Sequence, residues 1–569
     1  MTNEQLAKIL LHISQILDIQ GENPFKIRAY VRAADTIAGL TYPLSSLGDR
    51  DKIVELPGIG TGIAKKIVEI LETGKLEYYE KLRASEYAPL TELLQVPGMG
   101  PKHARLVHDA LGVTSVRDLK RAAQQGKLRG LKGLGKKAEE KVLQGIVQAE
   151  KFKERLPLSA GYPLALAVMQ ELRECRAVER ISLAGSLRRM RDTVGDLDLL
   201  AASERPEEVM EWFVGLGRAA VVLARGSTKS SIVTQQGLQV DLRVVRPESF
   251  GAAAHHFTGS KAHNIRMRSL GLEKGLRINE YGVFRGDVKI AGATEEEVFQ
   301  SVGLPYIPPE MREDQGEIEA ALEGRLPRLV AIQDMMGDLH VHSDWTDGRD
   351  SIETMAAVAR EKGYSYLAIC DHSPAVGITG GLDPRRLLEQ GEEIRRLNRR
   401  GGSFRVLAGI EVDIRSDGRL DLADDVLSQL DLVVAAVHSG FGQSRDKMTD
   451  RILCAVENPH VHILAHPTGR LVGKREPYPV DMDRIMEACK ATGTILECNA
   501  CPERLDLSDI HCRKARQAGV RVAISTDAHS AAHLEWMSFG VATARRGWLE
   551  PKDVVNTLPL KQLLKTLGR

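Results

Sequence analysis

Three carboxylates and a set of histidines stand at spacings that suit divalent cations. The first group lies in ISLAGSLRRMRDTVGDLDLL, residues 181–200, where an apolar run ends at Gly185-Ser186, a basic turn follows, and Gly195-Asp196-Leu197-Asp198 opens a second apolar run. Alternate side chains of a strand share a face, so Asp196 and Asp198 point one way while Leu197 and Leu199 point into a core. Two carboxylates held that close repel unless a cation lies between them. A third, Asp241 in LQVDLRVV, has apolar flanks and reads as part of an adjacent strand. Three converging carboxylates can hold two Mg²⁺ ions, one for an attacking 3′-hydroxyl and one for a triphosphate. Gly185 and Ser186 offer a backbone N–H and a hydroxyl to phosphate, and Arg188 and Arg189 add charge. A solvent-facing D-x-D on an edge strand is the bland alternative, and the apolar neighbours and preceding turn argue against it.

The second group fills the C-terminal half. Seven short apolar runs recur there, namely GDLHVHS, YLAICDHS, RVLAGIEVDI, LVVAAVHSGF, VHILAHPTG, TILECNA and VAISTDAHS, with mostly helix-like stretches between them. Strand-helix alternation of this kind implies a parallel barrel, whose chemistry gathers at the C-terminal strand ends. His340, His342 and Asp347, then His372, Glu411, His438, His466, Asp527 and His529 fall at or just after the ends of six runs. Nine ligands exceed the need of one ion and suit two or three. Their mixed nitrogen and oxygen donors favour Zn²⁺, Mn²⁺ or Fe²⁺ over Mg²⁺. Asn499, Arg504 and Asp506 either line the mouth of such a site, Arg504 gripping a phosphate, or form a loop-stabilising polar network, and His460, His462, His511 and His533 fall outside the pattern. Cys498 and Cys501 form one C-x-x-C with no second pair at zinc spacing, so they read as strand cysteines.

A third signal is repetition. LPGIGTGIAKKI, VPGMGPKHARLV and LKGLGKKAEEKV each set Gly-apolar-Gly before a basic helix-like stretch. Glycines such as Gly58, Gly60, Gly98 and Gly100 permit a tight turn, and the next helix offers free N–H groups to a DNA phosphate. Lys65, Lys66, Lys102, Lys136 and Lys137 add charge. The chain is nearly neutral overall, yet residues 101–150 carry eleven Lys/Arg against five Asp/Glu, which is where phosphate contacts are expected. NPFKIRAYVRAADTIAGL reads as one helix capped by Asn23, with Phe25, Tyr30, Ala33, Ala34 and Ile37 near core spacing. A chain of 569 residues exceeds one core, and neither a signal peptide nor a membrane span is evident. Reduced thiols and a cytoplasmic, nucleoid-associated location are expected.

Carried by G-S-x-R-R, G-D-x-D and FTGSKAHNIRMRSLGLEKGLRINEYGVF, the middle of the chain resembles the polymerase β-type nucleotidyltransferases, and the whole resembles the bacterial family X DNA polymerases. Residues 337 to about 560 resemble the PHP (polymerase and histidinol phosphatase) domain. The resemblance implies that Asp196, Asp198 and Asp241 bind Mg²⁺ and that Ser186, Arg189 and Arg155 grip a dNTP triphosphate beside Gly185. It implies that Phe257 and Gly259 line the sugar, Asn264 the base edge and Arg268 the template side. His256 stands where polymerase β-like enzymes have Tyr. The N-terminal helices resemble the family's lyase domain, with Lys66 at the Schiff-base position, Lys26 and Tyr30 at supporting ones, and Gly62 and Tyr78 in place of expected lysines.

The expected architecture is multidomain α plus α/β. A helical lyase-like domain spans 1–83, a second helix-hairpin-helix domain 84–155, a nucleotidyltransferase palm 156–246, a nucleotide-binding subdomain 247–312, a linker or connecting helix 313–336, and a (β/α)7 distorted TIM-like PHP barrel 337–569. The expected activity is gap-filling, base-excision-repair DNA synthesis by a monomer on gapped or nicked DNA. A PHP phosphoesterase with two or three Mn²⁺ or Zn²⁺ ions joins it as 3′-5′ exonuclease, abasic endonuclease or 3′-end processor. The rivals are a metabolite nucleotidyltransferase fused to a histidinol-phosphatase-like enzyme, and a DNA-binding scaffold with an inactive PHP domain.

Overall fold

The structure is a computed structural model and describes residues 3–38, 44, 51–56, 58–96, 99–140, 142–143, 146 and 155–568. The chain divides into two compact units, Met1–Arg155 with Asp314–Gly316, and Leu156–Glu313 with Glu317–Arg569.

The first unit is helical and holds two apolar cores. One gathers Leu6, Leu10, Ile13 and Leu17 of the helix Asn3–Gln20 with Tyr30, Ala33 and Ile37 of Pro24–Ala38 and Ile63, Ile67 and Ile70 of Thr61–Thr73. The other gathers Leu90, Leu93, Val107, Leu119, Leu128, Leu134 and Ile146. Asn23 caps its helix, its Oδ1 accepting the Phe25 N–H at 2.8 Å. Phe25 itself is 75% exposed, a correction to its expected core place, and the Arg28 guanidinium lies 4.7 Å from its ring centroid. Five residues turn a helix by about 140° beyond a full turn, so Phe25 faces away from the Tyr30–Ile37 stripe.

The second unit starts with β1 (Leu156–Pro157), β2 (Arg180–Leu183), β3 (Thr193–Val194), β4 (Leu197–Ala202), β5 (Ala219–Arg225), β6 (Lys229–Thr234) and β7 (Gln239–Val245). A mixed five-stranded sheet runs in the order β2-β4-β7-β6-β5, and β1 pairs with β3. Helices Leu158–Arg173 and Pro206–Val214 bury Leu164, Val168, Leu172 and Phe213 against Leu197, Leu199 and Val240. Helix Phe250–Thr258 covers Leu200 and Ala202 on the other face. A small antiparallel sheet of β8 (Arg277–Asn279), β9 (Gly282–Arg285) and β10 (Val288–Ala291) follows. Residues 313–336 include the helix Glu317–Leu322, whose Ile318, Ala320 and Ala321 join Met267, Val283, Phe299 and Trp548 in one core.

All seven C-terminal runs are strands: β11 (Gly337–Val341), β12 (Tyr366–Ile369), β13 (Arg405–Asp413), β14 (Leu432–Ala436), β15 (Ile463–Leu464), β16 (Ile495–Asn499) and β17 (Val522–Ser525). They are parallel and stand in sequence order. The His342 N–H donates to Ala528 O and the Asp527 N–H to His340 O, both at 2.9 Å, so the sheet is nearly closed on itself. Every residue of β11, β12, β14, β15, β16 and β17 is buried, as strands covered on both faces require. Leu339, Tyr366, Leu407, Leu432 and Ile463 form an inner core that Leu563 and Leu567 share. Tyr366 opens β12 and donates its hydroxyl to Leu558 O, so the chain end covers the N-terminal strand ends and the C-terminal ends are left for chemistry.

Candidate active sites

The first site forms where β4 and β7 run side by side, because the parallel register sets Asp198 opposite Asp241. The turn after β2 presses against them. Gly185 has φ +58°, and a Cβ there would lie 2.1 Å from Asp198 Oδ2, so only glycine fits. The Ala184 N–H donates to Asp198 O at 2.8 Å and locks the turn to the strand. Burial, then Asp196, then Asp241, push the Asp198 carboxyl up to about 7. A cation bound there would reverse that shift. Asp241 accepts from Gln239 Nε2 at 2.7 Å and lies 3.1 Å from Lys229 Nζ. Sequence reading missed both partners, since Lys229 reaches Asp241 only through the β6–β7 pairing. Gly185→Ala should lower primer extension at least about 100-fold, as displaced catalytic groups do. Steady-state extension on a primed template checks it, and near-normal extension would refute this geometry.

The surrounding predicted residues are tied together. Arg188 donates to Thr258 Oγ1 at 2.8 Å and pairs with Glu295, while Arg189 donates to Thr258 O at 2.7 Å and to Glu313 Oε1 at 2.9 Å. Burial opposes ionisation of Glu295, but Arg312 and Arg188 outweigh it and hold the carboxyl at about 2. Gly259 leaves room for Asn264, whose Nδ2 donates to His256 O and Gly259 O. Arg268 Nη2 lies 3.2 Å from His256 Nδ1, and Arg243 stacks over the Phe257 ring at 4.3 Å. Ser186 follows Gly185 in the short helix Gly185–Arg188. Arg155 is the last residue of the first unit's main segment.

In the first unit, Gly58 (φ +80°) and Gly133 (φ +90°) make the positive-φ turns of two hairpins. Gly60 and Gly100 cap the helices Thr61–Thr73 and Pro101–Leu111 in ordinary extended conformations, and a Cβ on either would meet nothing within 4 Å. Their glycine character is therefore not conformational, and it leaves open space at the helix N-termini. Gly98 lies outside the described residues. Lys102 and Lys136 are exposed. Lys66 Nζ donates to Gly62 O at 3.3 Å and lies 5.1 Å from the Tyr78 ring, with Lys26 at 5.9 Å from the same ring.

The second site brings all nine predicted histidines and carboxylates together. His342, Asp347, His372 and His529 form one group able to hold a metal ion, His340, His342 and Asp527 a second, and His372, Glu411 and His438 a third. His466 Nε2 lies 3.0 Å from Glu411 Oε1. The shared members make the groups neighbours. His342 Nδ1 and His466 Nδ1 are buried without a hydrogen-bond partner, which a metal ion or its bound ligand would relieve. His466 (φ +28°) and Asp527 (φ +54°) sit in the left-handed region, a strain typical of functional positions.

A surrounding layer orients the ligands. Glu497, absent from the sequence-level set, lies 2.8 Å from His340 Nδ1, accepts the His466 N–H at 2.8 Å and accepts from Asn499 Nδ2 at 3.1 Å. Asp413 lies 3.2 Å from His438 Nδ1. Such carboxylate–histidine pairs set ring orientation and basicity. The E in ILECNA was the available signal for Glu497, but its face could not be read without the barrel. Buried Asp371 accepts from Ser343, Thr346 and Gln390 and so braces the loop that carries Asp347. Arg504 Nε lies 3.4 Å from Asp527 Oδ2, and Asn499 Nδ2 3.1 Å from the same atom. Asp506 is fully buried and accepts the Thr468 N–H, a bracing role. His533 borders the site, its Nδ1 accepting the His529 N–H at 3.3 Å.

Burial lowers the His372 and His438 rings, but Glu411 outweighs it and holds them at about 10 and about 9. Both pKa values are raised, so without metal the rings are charged at neutral pH and lose their protons only as pH climbs through 9 to 10. A metal ion must displace those protons. Apparent Mn²⁺ affinity should therefore tighten about ten- to a hundredfold per pH unit between pH 6 and 8, with proton release measurable by calorimetry in two buffers. A flat profile would contradict the ligand set. Among the described residues all seven cysteines are free, and no helix is long and apolar enough to cross a membrane.

Comparison with known proteins follows this geometry. Residues 1–76 match a helix-hairpin-helix domain, 90–146 a SAM-like helix-hairpin-helix tandem, 253–313 the DNA polymerase beta thumb and 338–500 the PHP domain. The chain is 41% identical to the DNA polymerase/3′-5′ exonuclease PolX of Bacillus subtilis, over 100% of both chains. A probable phosphatase of Caldanaerobacter subterraneus is 30% identical over 34% of this chain and 75% of its own length. Another, from Syntrophotalea carbinolica, is 30% identical over 41% of this chain and 95% of its own.

Proposed function

Because this chain belongs to the family X DNA polymerases with N-terminal helix-hairpin-helix domains and a C-terminal PHP domain, we propose that it fills short gaps during DNA repair and trims or unblocks 3′ ends beforehand. The observation that carries the reading is the half-buried Asp198 carboxyl, set opposite Asp241 by the strand register and backed by a turn that admits only glycine.

In the palm, Asp196, Asp198 and Asp241 hold two Mg²⁺ ions. The turn at Gly185 and the Ser186 hydroxyl take dNTP phosphates, and Arg189 joins them by exchanging Glu313 for phosphate oxygens. Phe257 and Gly259 wall the sugar, Asn264 holds their turn against the base edge, and Arg268 faces the template. The resemblance adds Arg155 to the residues that grip the triphosphate. The three hairpins bind the DNA backbone without sequence preference through Gly58, Gly60, Gly98 and Gly100 and the lysines Lys102 and Lys136. A lyase role for Lys66 rests on its place in the resemblance with Lys26 and Tyr30, while Gly62 and Tyr78 stand where lysines are expected.

In the PHP domain, a distorted (β/α)7 TIM-like barrel, the nine ligands hold two or three Mn²⁺ or Zn²⁺ ions. Bound cations at either site supply Lewis acidity toward phosphoryl oxygens. Glu497 and Asp413 fix the rings of His340 and His438, and Arg504 grips the phosphate being cut. The substrate class is a 3′-terminal or abasic-site phosphoester. The domain limits at 83, 155, 246, 312 and 336 complete this reading, as do a monomeric state and a cytoplasmic, nucleoid-associated location.

The test uses a one-nucleotide-gapped duplex labelled at the primer 5′ end, with Mg²⁺ or Mn²⁺, with and without dNTPs. One-nucleotide extension with dNTPs and shortening without them are expected. If the DNA is untouched while small phosphate esters are hydrolysed, the metabolite-enzyme alternative replaces this one.

A further inference from the structure

The turn that carries the phosphate-binding residues of the palm also touches the PHP domain. Asp192, two residues before the end of β3, places Oδ2 3.1 Å from Arg470 Nη1. Arg470 lies in the loop after β15. Its Nε donates to Arg504 O at 3.0 Å and to Leu505 O at 3.1 Å. The same loop adds a backbone bond, Val472 N–H to Glu503 O at 2.7 Å. The segment so held carries Arg504, whose guanidinium lies beside the metal-type ligand Asp527.

The segment needs holding. Leu505 has φ +46°, a region that a branched apolar residue seldom adopts. Its side chain is buried not among barrel residues but in the palm core, together with Phe539, which meets Tyr162 edge-on at 6.0 Å. The palm thus supplies both the apolar pocket for Leu505 and the carboxylate that orients Arg470. Asp192 is not one of the predicted ligands of either site, and its carboxylate pairs with Arg470.

We infer that Asp192, a polymerase-domain residue, is a positioning residue for the phosphoesterase site, acting through Arg470 to hold the segment that presents Arg504. This rests on the phosphoesterase reading above. It implies that the barrel's substrate grip depends on the palm beside it.

The test is a cycle in the full chain of Asp192→Ala, Arg470→Ala and the double variant, with Asp192→Glu as the conservative control. Shortening of a labelled single-stranded oligonucleotide with Mn²⁺ is one readout, and amide hydrogen exchange of peptides covering 501–508 is the other. Asp192→Ala should lower kcat/KM for shortening about tenfold, mainly through KM, with Asp192→Glu recovering most of it. On the Arg470→Ala background the same change should do nothing further, because coupled residues are not additive. Exchange at 501–508 should quicken in Asp192→Ala and stay unchanged in peptides of β7. Wild-type kinetics and exchange in Asp192→Ala, or an equal loss on the Arg470→Ala background, would overturn the inference. If the wild type does not shorten DNA, the phosphoesterase reading fails separately, and unchanged exchange at 501–508 then overturns this one.

Discussion

Asp198→Asn loses primer extension by at least about a thousandfold, roughly 4 kcal/mol of transition-state stabilisation, while primer shortening continues at the wild-type rate. The amide has nearly the shape of the carboxyl, so the Gly185 turn still packs and the Ala184 N–H to Asp198 O bond is untouched. What disappears is the charge that the site concentrates by holding half-buried Asp198 next to Asp196 and Asp241. The same burial predicts a stability effect of opposite sign. The carboxyl is raised to about 7 from an ordinary value near 3.8, so its contribution to folding is intact in acid and lost as pH rises through 7. The metal-free variant should therefore melt higher than wild type at pH 8 and alike at pH 4. Extension above a tenth of wild type, or a lower melting temperature at pH 8, would contradict the assignment of Asp198.

His340→Ala/His342→Ala has the complementary outcome. Shortening falls at least about a thousandfold, bound transition metal falls with it, and extension is retained. Both rings are fully buried, with His340 Nδ1 2.8 Å from Glu497 and His342 a member of two of the three metal-capable groups. His340 is the charged ring of the pair, held up against burial by Glu497 and Glu411, and its removal leaves those carboxylates buried with one cationic partner fewer, which destabilises by several kcal/mol when uncompensated. His342→Gln is therefore made alongside, since it keeps volume and a hydrogen-bonding edge. Metal analysis of both proteins, read with the two activities, separates loss of the site from loss of the fold. Retained metal and retained shortening in both variants would remove these histidines from the site.

Much of this molecule was legible without coordinates because its signals are local. Period-two alternation and flanking apolar residues placed Asp198 and Asp241 on strands, and seven apolar runs, six of them offering histidine or carboxylate at or near their ends, announced a parallel sheet with chemistry at one end. Asn23 capped the helix it precedes, and the glycine hairpins stood out by repetition. Phe25 misled because apolar type alone does not say which way a side chain faces on a helix.

What only the tertiary structure decided depends on pairing between distant segments. That Asp198 sits opposite Asp241 follows from the β4–β7 register, and that Lys229 reaches Asp241 follows from β6–β7. Glu497 and Asp413 became supports for His340 and His438 only once the barrel brought β16 and β13 beside the ligands. Asp192 and Arg470, 278 residues apart, are joined by a domain contact that no local pattern encodes. By itself the sequence determined which residue types could do chemistry and on which elements they stand, because propensity and periodicity act over a few residues. Which of them meet, which are already paired and which hold others in place was settled by packing, because burial and register act across the whole unit.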